Sequence, residues 1–360
     1  MSRQNPLKRI FDLYTSDLSY QEIERLVKRE ANEVYEFFKA DVPKPDQSKT
    51  KFVRGLIFAR SLFNAFLLKL TPARRIFFLI SLLFFIVGYS QNNPLYVFSA
   101  YLISILLLAF ELADKLTAKN ELEVARKIQF DLIPKNISSI KGFEIATYYE
   151  PAKEVGGDYF DIIETPDRTL IIVGDISGKG IAAALYMVRV QSIIYSLIDS
   201  YSSIKEIVIN LKKYFSKNLR REFFLTLTIA SIEKNGSVKI VRAGHPPAYH
   251  LKNISKEIEV LNPTGLGIGL NDKGLFEQTL EEITFTPEKN DIIVLFSDGL
   301  TETMNSIQDQ LGEENVKRII KNNLDKSAEE IKRVLLNAVE IFRGDAPQND
   351  DITFVIIKAN

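Results

Sequence analysis

Two runs, "IFFLISLLFFIVGY" at 76–89 and "LYVFSAYLISILLLAF" at 95–110, carry no charged residue and are separated only by "SQNNP". A helix with no polar face must be buried all round, either inside protein or in lipid. Each run is shorter than the roughly 20 residues that cross a hydrocarbon core comfortably, so a buried hairpin in a soluble or dimeric core is the competing reading. The flanks favour the membrane. Lys69, Arg74 and Arg75 precede the first run, and Lys115 and Lys119 follow the second. That is the cation placement expected when both ends lie in the cytoplasm. The runs stand too far from the N-terminus for a cleaved signal peptide.

Around this hairpin the chain is uneven. Its formal charge is zero, from 46 Lys/Arg and 46 Asp/Glu, but residues 1–75 hold 15 of the cations and 9 of the acids, leaving 31 and 37 for the remainder. The basic residues between 44 and 75 adjoin the apolar runs, where anionic lipid is a simpler partner than nucleic acid. Residues 19–40 place Ile23, Leu26, Val27, Ala31, Val34 and Phe38 at helical spacing, which predicts an amphipathic helix. A polar, proline-containing linker, "DVPKPDQSKTK", leads to a second apolar-rich helix carrying Arg54, Arg60 and Lys69. After the hairpin, "ELADKLTAKNELEVARKIQFDLIP" spaces Leu112, Leu116, Leu122, Ala125, Ile128 and Leu132 among charges until Pro134 stops the helix. A two-stranded coiled coil and a helix packed on the following domain both fit this pattern. The expected division is a helical region at 1–75, two membrane helices at 76–111, a helical linker at 112–135 and a final domain at 136–360.

From about residue 140 the periodicity changes to strands. "FEIATYYE", "DYFDIIE", "RTLIIVGDI", "FFLTLTIASIE", "SVKIVRAG", "DIIVLFSDG" and "DITFVIIK" are short, β-branched and aromatic, and bounded by Gly, Asp, Asn and Pro. Helical segments interrupt them in pairs, at about 178–218 and about 312–342. Strands clustered with paired helices predict an α+β domain with largely antiparallel sheets.

Chemistry concentrates at the strand ends. With no cysteine and only His245 and His250, any metal centre must be built mainly from carboxylates, which suits hard cations. "EVGGDYFDII" puts Asp158 straight after two glycines. By itself it reads equally as a cyclase-like loop, a metal-binding corner or a plain hairpin turn. Asp175 in "IIVGDISGKG", Asp298 in "VLFSDGLTE" and the pair Asp350 and Asp351 in "QNDDITF" share its context, an acid at the end of an apolar strand beside glycine or another acid. Several carboxylates gathered at one sheet edge repel one another unless a cation joins them. The later corners leave the cyclase reading without support, and Tyr159 stands where that signature has Glu.

The ordered motifs "ELEVARKIQFDLIP", "PAKEVGGDYFD", "GDISGKGIAAALYM", "AGHPPAYH", "LFSDGLTE" and "NDDITFVII" resemble the PPM-type, metal-dependent serine/threonine phosphatases, specifically the bacterial SpoIIE-like, RsbU-like branch. The resemblance covers residues about 121–358. It implies an α/β/β/α sandwich with two Mn²⁺ or Mg²⁺ ions at one edge. Asp158 and Asp175 would hold the ions and the bridging water, with the Ile176 carbonyl as an added ligand, and Asp298 and Asp350 would complete the set. Asp351 stands where relatives have Asn, so the choice between Asp350 and Asp351 stays open. Lys153 occupies the place of a phosphate-binding Arg in eukaryotic relatives, and surface solvation explains it equally well. Lys179 stands where many bacterial members have His. His245 reads as structural.

The resemblance further implies hydrolysis of phosphoserine or phosphothreonine on a cytoplasmic protein by a metal-activated water. By analogy the substrate is an anti-sigma-factor antagonist of the STAS type. The expected protein is anchored in the cytoplasmic membrane, with its N-terminus and catalytic domain in the cytoplasm, and forms a homodimer through the 112–133 helix. The competing expectation is an inactive phosphatase-like scaffold tethered to the membrane.

Overall fold

The computed structural model describes residues 51–134, 139–217, 220 and 222–360; the amphipathic helix expected over 19–40 lies outside them. The chain divides after Thr117 into two compact units. The first contains helix α1 (Lys51–Lys69), helix α2 (Pro72–Ser90) and the start of helix α3 (Pro94–Leu132). Proline opens both α2 and α3, where its fixed φ suits a first turn and its missing N–H costs nothing. Arg75 closes the end of α1 by donating to the carbonyls of Leu67 at 2.9 Å and Leu70 at 3.2 Å.

The α2–α3 pair is packed as well as apolar. Ser81 Oγ donates to the Ala100 carbonyl at 2.8 Å, and a Cβ on Gly88 would lie 2.9 Å from Val97, so only glycine allows this approach. At the other end Arg74 pairs with Glu111 at 3.0 Å and Asp114 at 2.7 Å. Pro72–Arg75 and Ser90 extend the first charge-free run to a 19-residue helix, and α2 and α3 are both long and apolar enough to cross a membrane. Phe77, Phe85, Leu95, Phe98 and Leu108 face outward from this pair.

The second unit comprises the rest of α3 and, in chain order, strands β1 (Ser139–Ile140), β2 (Phe143–Glu150), β3 (Asp158–Glu164) and β4 (Arg168–Ile176). Helices α4 (Ile181–Ile198) and α5 (Ile204–Ser216) follow, then strands β5 (Leu225–Glu233), β6 (Val238–Ala243), β7 (Ala248–Leu251) and β8 (Ile258–Leu261). The chain closes with α6 (Phe276–Thr279), β9 (Glu282–Phe285), β10 (Ile292–Phe296), α7 (Asp298–Thr301), α8 (Glu313–Lys321), α9 (Ala328–Arg343) and β11 (Ile352–Ala359). One sheet has the order β1-β2-β11-β10-β7-β8 and the other β3-β4-β5-β6-β9, with antiparallel pairing throughout.

Alternation along each strand builds three apolar layers. Phe160, Ile162, Ile171 and Val173 meet Ile293, Leu295, Val355 and Ile357 between the sheets. Outside one sheet, Leu170, Ile172 and Leu227 pack on Met187, Val190, Ile194, Ile207 and Leu211 of α4 and α5. Outside the other, Val294, Phe296, Phe354 and Ile356 pack on Val316, Ile320, Ile331 and Leu335 of α8 and α9. This is the α/β/β/α sandwich that the resemblance implies. Helix α4 also has the length and hydropathy of a membrane span, but Ala183, Met187, Val190, Ile194 and Leu197 are buried against its sheet, which makes it a core helix.

Candidate metal centre

Strand alternation explains why acids far apart in sequence meet. Phe160 on β3 and Val173 on β4 point between the sheets, so Asp158 and Asp175, each two residues away, point there too. The two acids are directly paired in the antiparallel register of β3 and β4. From the facing sheet, the Thr353 hydroxyl donates to Asp158 Oδ2. Asp298 opens α7 immediately after β10, and Asp350 and Asp351 precede β11, the strand paired with β10. Two strand ends from each sheet therefore deliver five acids to one edge.

The electrostatics record their proximity. Burial, then the charges of Asp298, Asp350 and Asp351, push the Asp175 carboxyl up to about 7. Asp158 is 2% exposed, and burial followed by the Asp175 and Asp351 charges holds its carboxyl well above the usual carboxylate range. Asp298 is raised by burial and by Asp350 and Glu302, and Lys179 partly opposes this. Acids that resist ionising together are the signature of a site completed by positive charge.

Glycine provides the close approach. A Cβ on Gly157 would lie 2.8 Å from the Ile176 carbonyl oxygen, and one on Gly156 would lie 2.6 Å from Asp351 Oδ2. Asp351 spends its oxygens on this turn, accepting from the N–H groups of Ala152 and Gly157, both at 2.7 Å. It is buried and acts as a backbone clamp. Asp350 is half-buried and directs Oδ2 to Lys179 at 2.8 Å. Of the two, Asp350 has the more available carboxylate.

The remaining sequence candidates separate clearly. Lys153 is exposed, with no ion pair to it among the described residues. Asp161, the second acid of "GGDYFD", points with Tyr159 to the helical side, where it accepts from the Tyr159 hydroxyl at 3.1 Å and Gln191 at 3.2 Å. His245 is buried beside Thr226 Oγ1 at 2.8 Å, and desolvation lowers its pKa to about 3, so it is a neutral packing element. Sequence reasoning missed Gln129. This α3 residue is 2% exposed, donates to the Gly156 carbonyl at 2.8 Å and accepts from the Gly156 N–H at 3.1 Å. The available signal was its phase, because Gln129 lies on the face shared by Leu122 and Ala125, but a polar side chain there does not reveal its backbone partners.

The donor set fits hard divalent cations: oxygen ligands only, mutually repelling, with a main-chain carbonyl close by. Among the described residues no three carboxylate or imidazole groups already close on one point, so an ion would draw them inward.

Residues 165–360 match the family model described as Stage II sporulation protein E (SpoIIE). Phosphoserine phosphatase RsbU of Bacillus subtilis (strain 168) is 26% identical over 243 residues, which cover 67% of this chain and 70% of RsbU. Phosphoserine phosphatase RsbP of the same organism is 24% identical over 249 residues, covering 68% of this chain and 59% of RsbP. Among solved structures, the SiaA-PP2C domain of Pseudomonas aeruginosa superposes with a TM-score of 0.60 at 18% identity, covering 69% of this chain and 98% of that domain. The family match, the sandwich and the order of its strand-end acids agree: the chain belongs to the SpoIIE family, the RsbU-like bacterial branch of the PPM-type phosphatases.

Proposed function

We propose that this chain is a membrane-anchored, metal-dependent protein serine/threonine phosphatase acting on a cytoplasmic regulatory protein. The observation that carries the reading is the register pairing of Asp158 with Asp175 beside Asp298 and Asp350, with burial and neighbouring acids raising the carboxyls of Asp158, Asp175 and Asp298. The similarity to RsbU and RsbP, both phosphoserine phosphatases, supports the substrate class.

Asp158, Asp175, Asp298 and Asp350, with the Ile176 carbonyl, would hold two Mn²⁺ or Mg²⁺ ions. When bound, such ions lower the pKa of a shared water and neutralise charge on a phosphoryl group. The chain's own residues position that chemistry. Thr353 fixes one oxygen of Asp158, while Asp351 and Gln129 fix the Gly156–Gly157 turn from two sides. Lys153 is free to meet a substrate phosphate as a point charge. By analogy, the substrate is a phosphorylated anti-sigma-factor antagonist of the STAS type, which would make the enzyme a regulator of transcription through partner switching.

The two apolar helices α2 and α3 support a cytoplasmic-membrane hairpin with both ends inside. Val124 and Ile128 remain exposed on α3, which supports self-association through the linker helix. The test is phosphate release by the detergent-solubilised chain from phosphoserine, phosphothreonine and phosphotyrosine proteins, with and without Mn²⁺. Release from the first two only, and only with metal, is expected. Metal-independent release, or none from any of the three, would refute the proposal.

A further inference from the structure

Lys179 is the cation that pairs with an acid of the candidate metal edge among the described residues. Its Nζ lies 2.8 Å from Asp350 Oδ2 and also donates to the Asn349 carbonyl. That carbonyl belongs to a fixed segment: Asn349 donates to the Glu302 carbonyl at 3.0 Å and accepts from the Met304 N–H at 3.2 Å. The other oxygen of Asp350 is occupied as well, accepting from the Asp351 N–H at 3.0 Å. Both oxygens of Asp350 therefore have partners inside the protein, one a backbone N–H and the other the end of a long side chain.

The sequence places that side chain on an open turn. Lys179 stands between Gly178 and Gly180, both at positive φ, and a Cβ on Gly180 would meet nothing within 4 Å. The ion pair is partly open to water, with side-chain exposures of 40% for Lys179 and 30% for Asp350. Such a pair is weak enough to exchange, and its ammonium also lies near enough to Asp298 to favour that acid's charged form.

We propose that Lys179 is a built-in counter-ion of the acid edge: its ammonium holds Asp350 Oδ2 until a divalent cation displaces it, so this lysine sets the metal concentration at which the site fills. The inference rests on the reading of these acids as metal ligands. Removing the ammonium removes both a competitor for Asp350 and a like charge beside the incoming ion. Metal should then bind more tightly, whereas a lysine serving only the surface would leave affinity unchanged.

The experiment is Mn²⁺ binding to the full chain in detergent, measured by the loss of the free-ion paramagnetic resonance signal, for wild type, Lys179→Gln, Lys179→Arg and Asp350→Asn. Lys179→Gln should lower the Mn²⁺ Kd roughly three- to tenfold at low salt. That gap should narrow as salt is added, because the pair it removes is screened. Lys179→Arg, which keeps the charge, should stay within about twofold of wild type. Melting temperature gives a second reading, with metal-free Lys179→Gln lower than wild type and raised further by Mn²⁺. Equal or weaker Mn²⁺ binding by Lys179→Gln, when wild type binds and Asp350→Asn does not, overturns the counter-ion alone. Absence of binding by every form overturns the metal reading and the counter-ion with it.

Discussion

Asp175 carries a charge that the metal-free fold opposes. Its carboxyl is held up to about 7 by burial and neighbouring acids, so the folded state keeps a proton that the unfolded state has already released. Between the ordinary carboxylate value and about 7, the native state binds more protons than the unfolded one, and stability falls as pH rises through that window. Asp175→Asn removes one such group. In chelator at about pH 8 we expect this variant to be more stable than wild type by about 2 kcal/mol, a gap that closes on acidification, as read by urea melts. A wild-type curve that gains stability across the same window would contradict the assignment. Gly157 makes a second case, because an added Cβ would press on the Ile176 carbonyl at 2.8 Å and on Ala183 at 3.0 Å. Gly157→Ala should fold but lose about a hundredfold in turnover, since a displacement of this size spoils an aligned site. The acids were legible in the sequence because each stands beside glycine or another acid at the end of an apolar strand. The division of labour between Asp350 and Asp351 was not, because it depends on which carboxylate the Gly156–Gly157 turn recruits.

At the scale of elements, seven strands and the four long helices of the sandwich were readable from their periods, 2 for the strands and 3.6 for the helices, whereas β1, β7, β8 and β9, of two to four residues each, are too short to show one. Helix α3 was readable as a helix, but the face it buries was not. Its apolar spacing suggested Leu122, Ala125, Ile128 and Leu132 as one seam, whereas Gln129 is the residue buried against the domain and Ile128 is 58% exposed. The pull of two backbone groups on Gly156 outweighs hydrophobicity at that position, and no periodicity records a tertiary hydrogen bond. Gln129→Ala leaves a buried N–H and carbonyl without partners, so we expect a loss of about 1–3 kcal/mol and a higher Mn²⁺ requirement for turnover. Gln191 ties the same helix to α4 through the Leu132 carbonyl at 3.0 Å, close to its bond with Asp161. Ile128→Asn, by contrast, should keep the fold and the domain's metal requirement while lowering the oligomeric mass measured by light scattering. An unchanged mass would remove the exposed α3 stripe as a self-association surface.

For the whole molecule, the apolar hairpin, long enough to cross a membrane, is the feature that composition announced most directly, and the topology proposed for it can be read chemically because the chain has no cysteine of its own. In intact cells, a membrane-impermeant maleimide should label Gln91→Cys, between α2 and α3, and should reach Ser237→Cys only after permeabilisation. Labelling of Ser237→Cys from outside would reverse the orientation. The central claim is that strand-end acids from both sheets build one two-metal hydrolytic centre. Its most direct test is bound manganese per chain, measured by elemental analysis after equilibrium dialysis alongside phosphate release, for wild type and Asp175→Asn. We expect about two ions per wild-type chain, fewer in the variant, and turnover lost with them. Wild-type turnover in a chain that binds no metal, or undiminished turnover by Asp175→Asn, would contradict it.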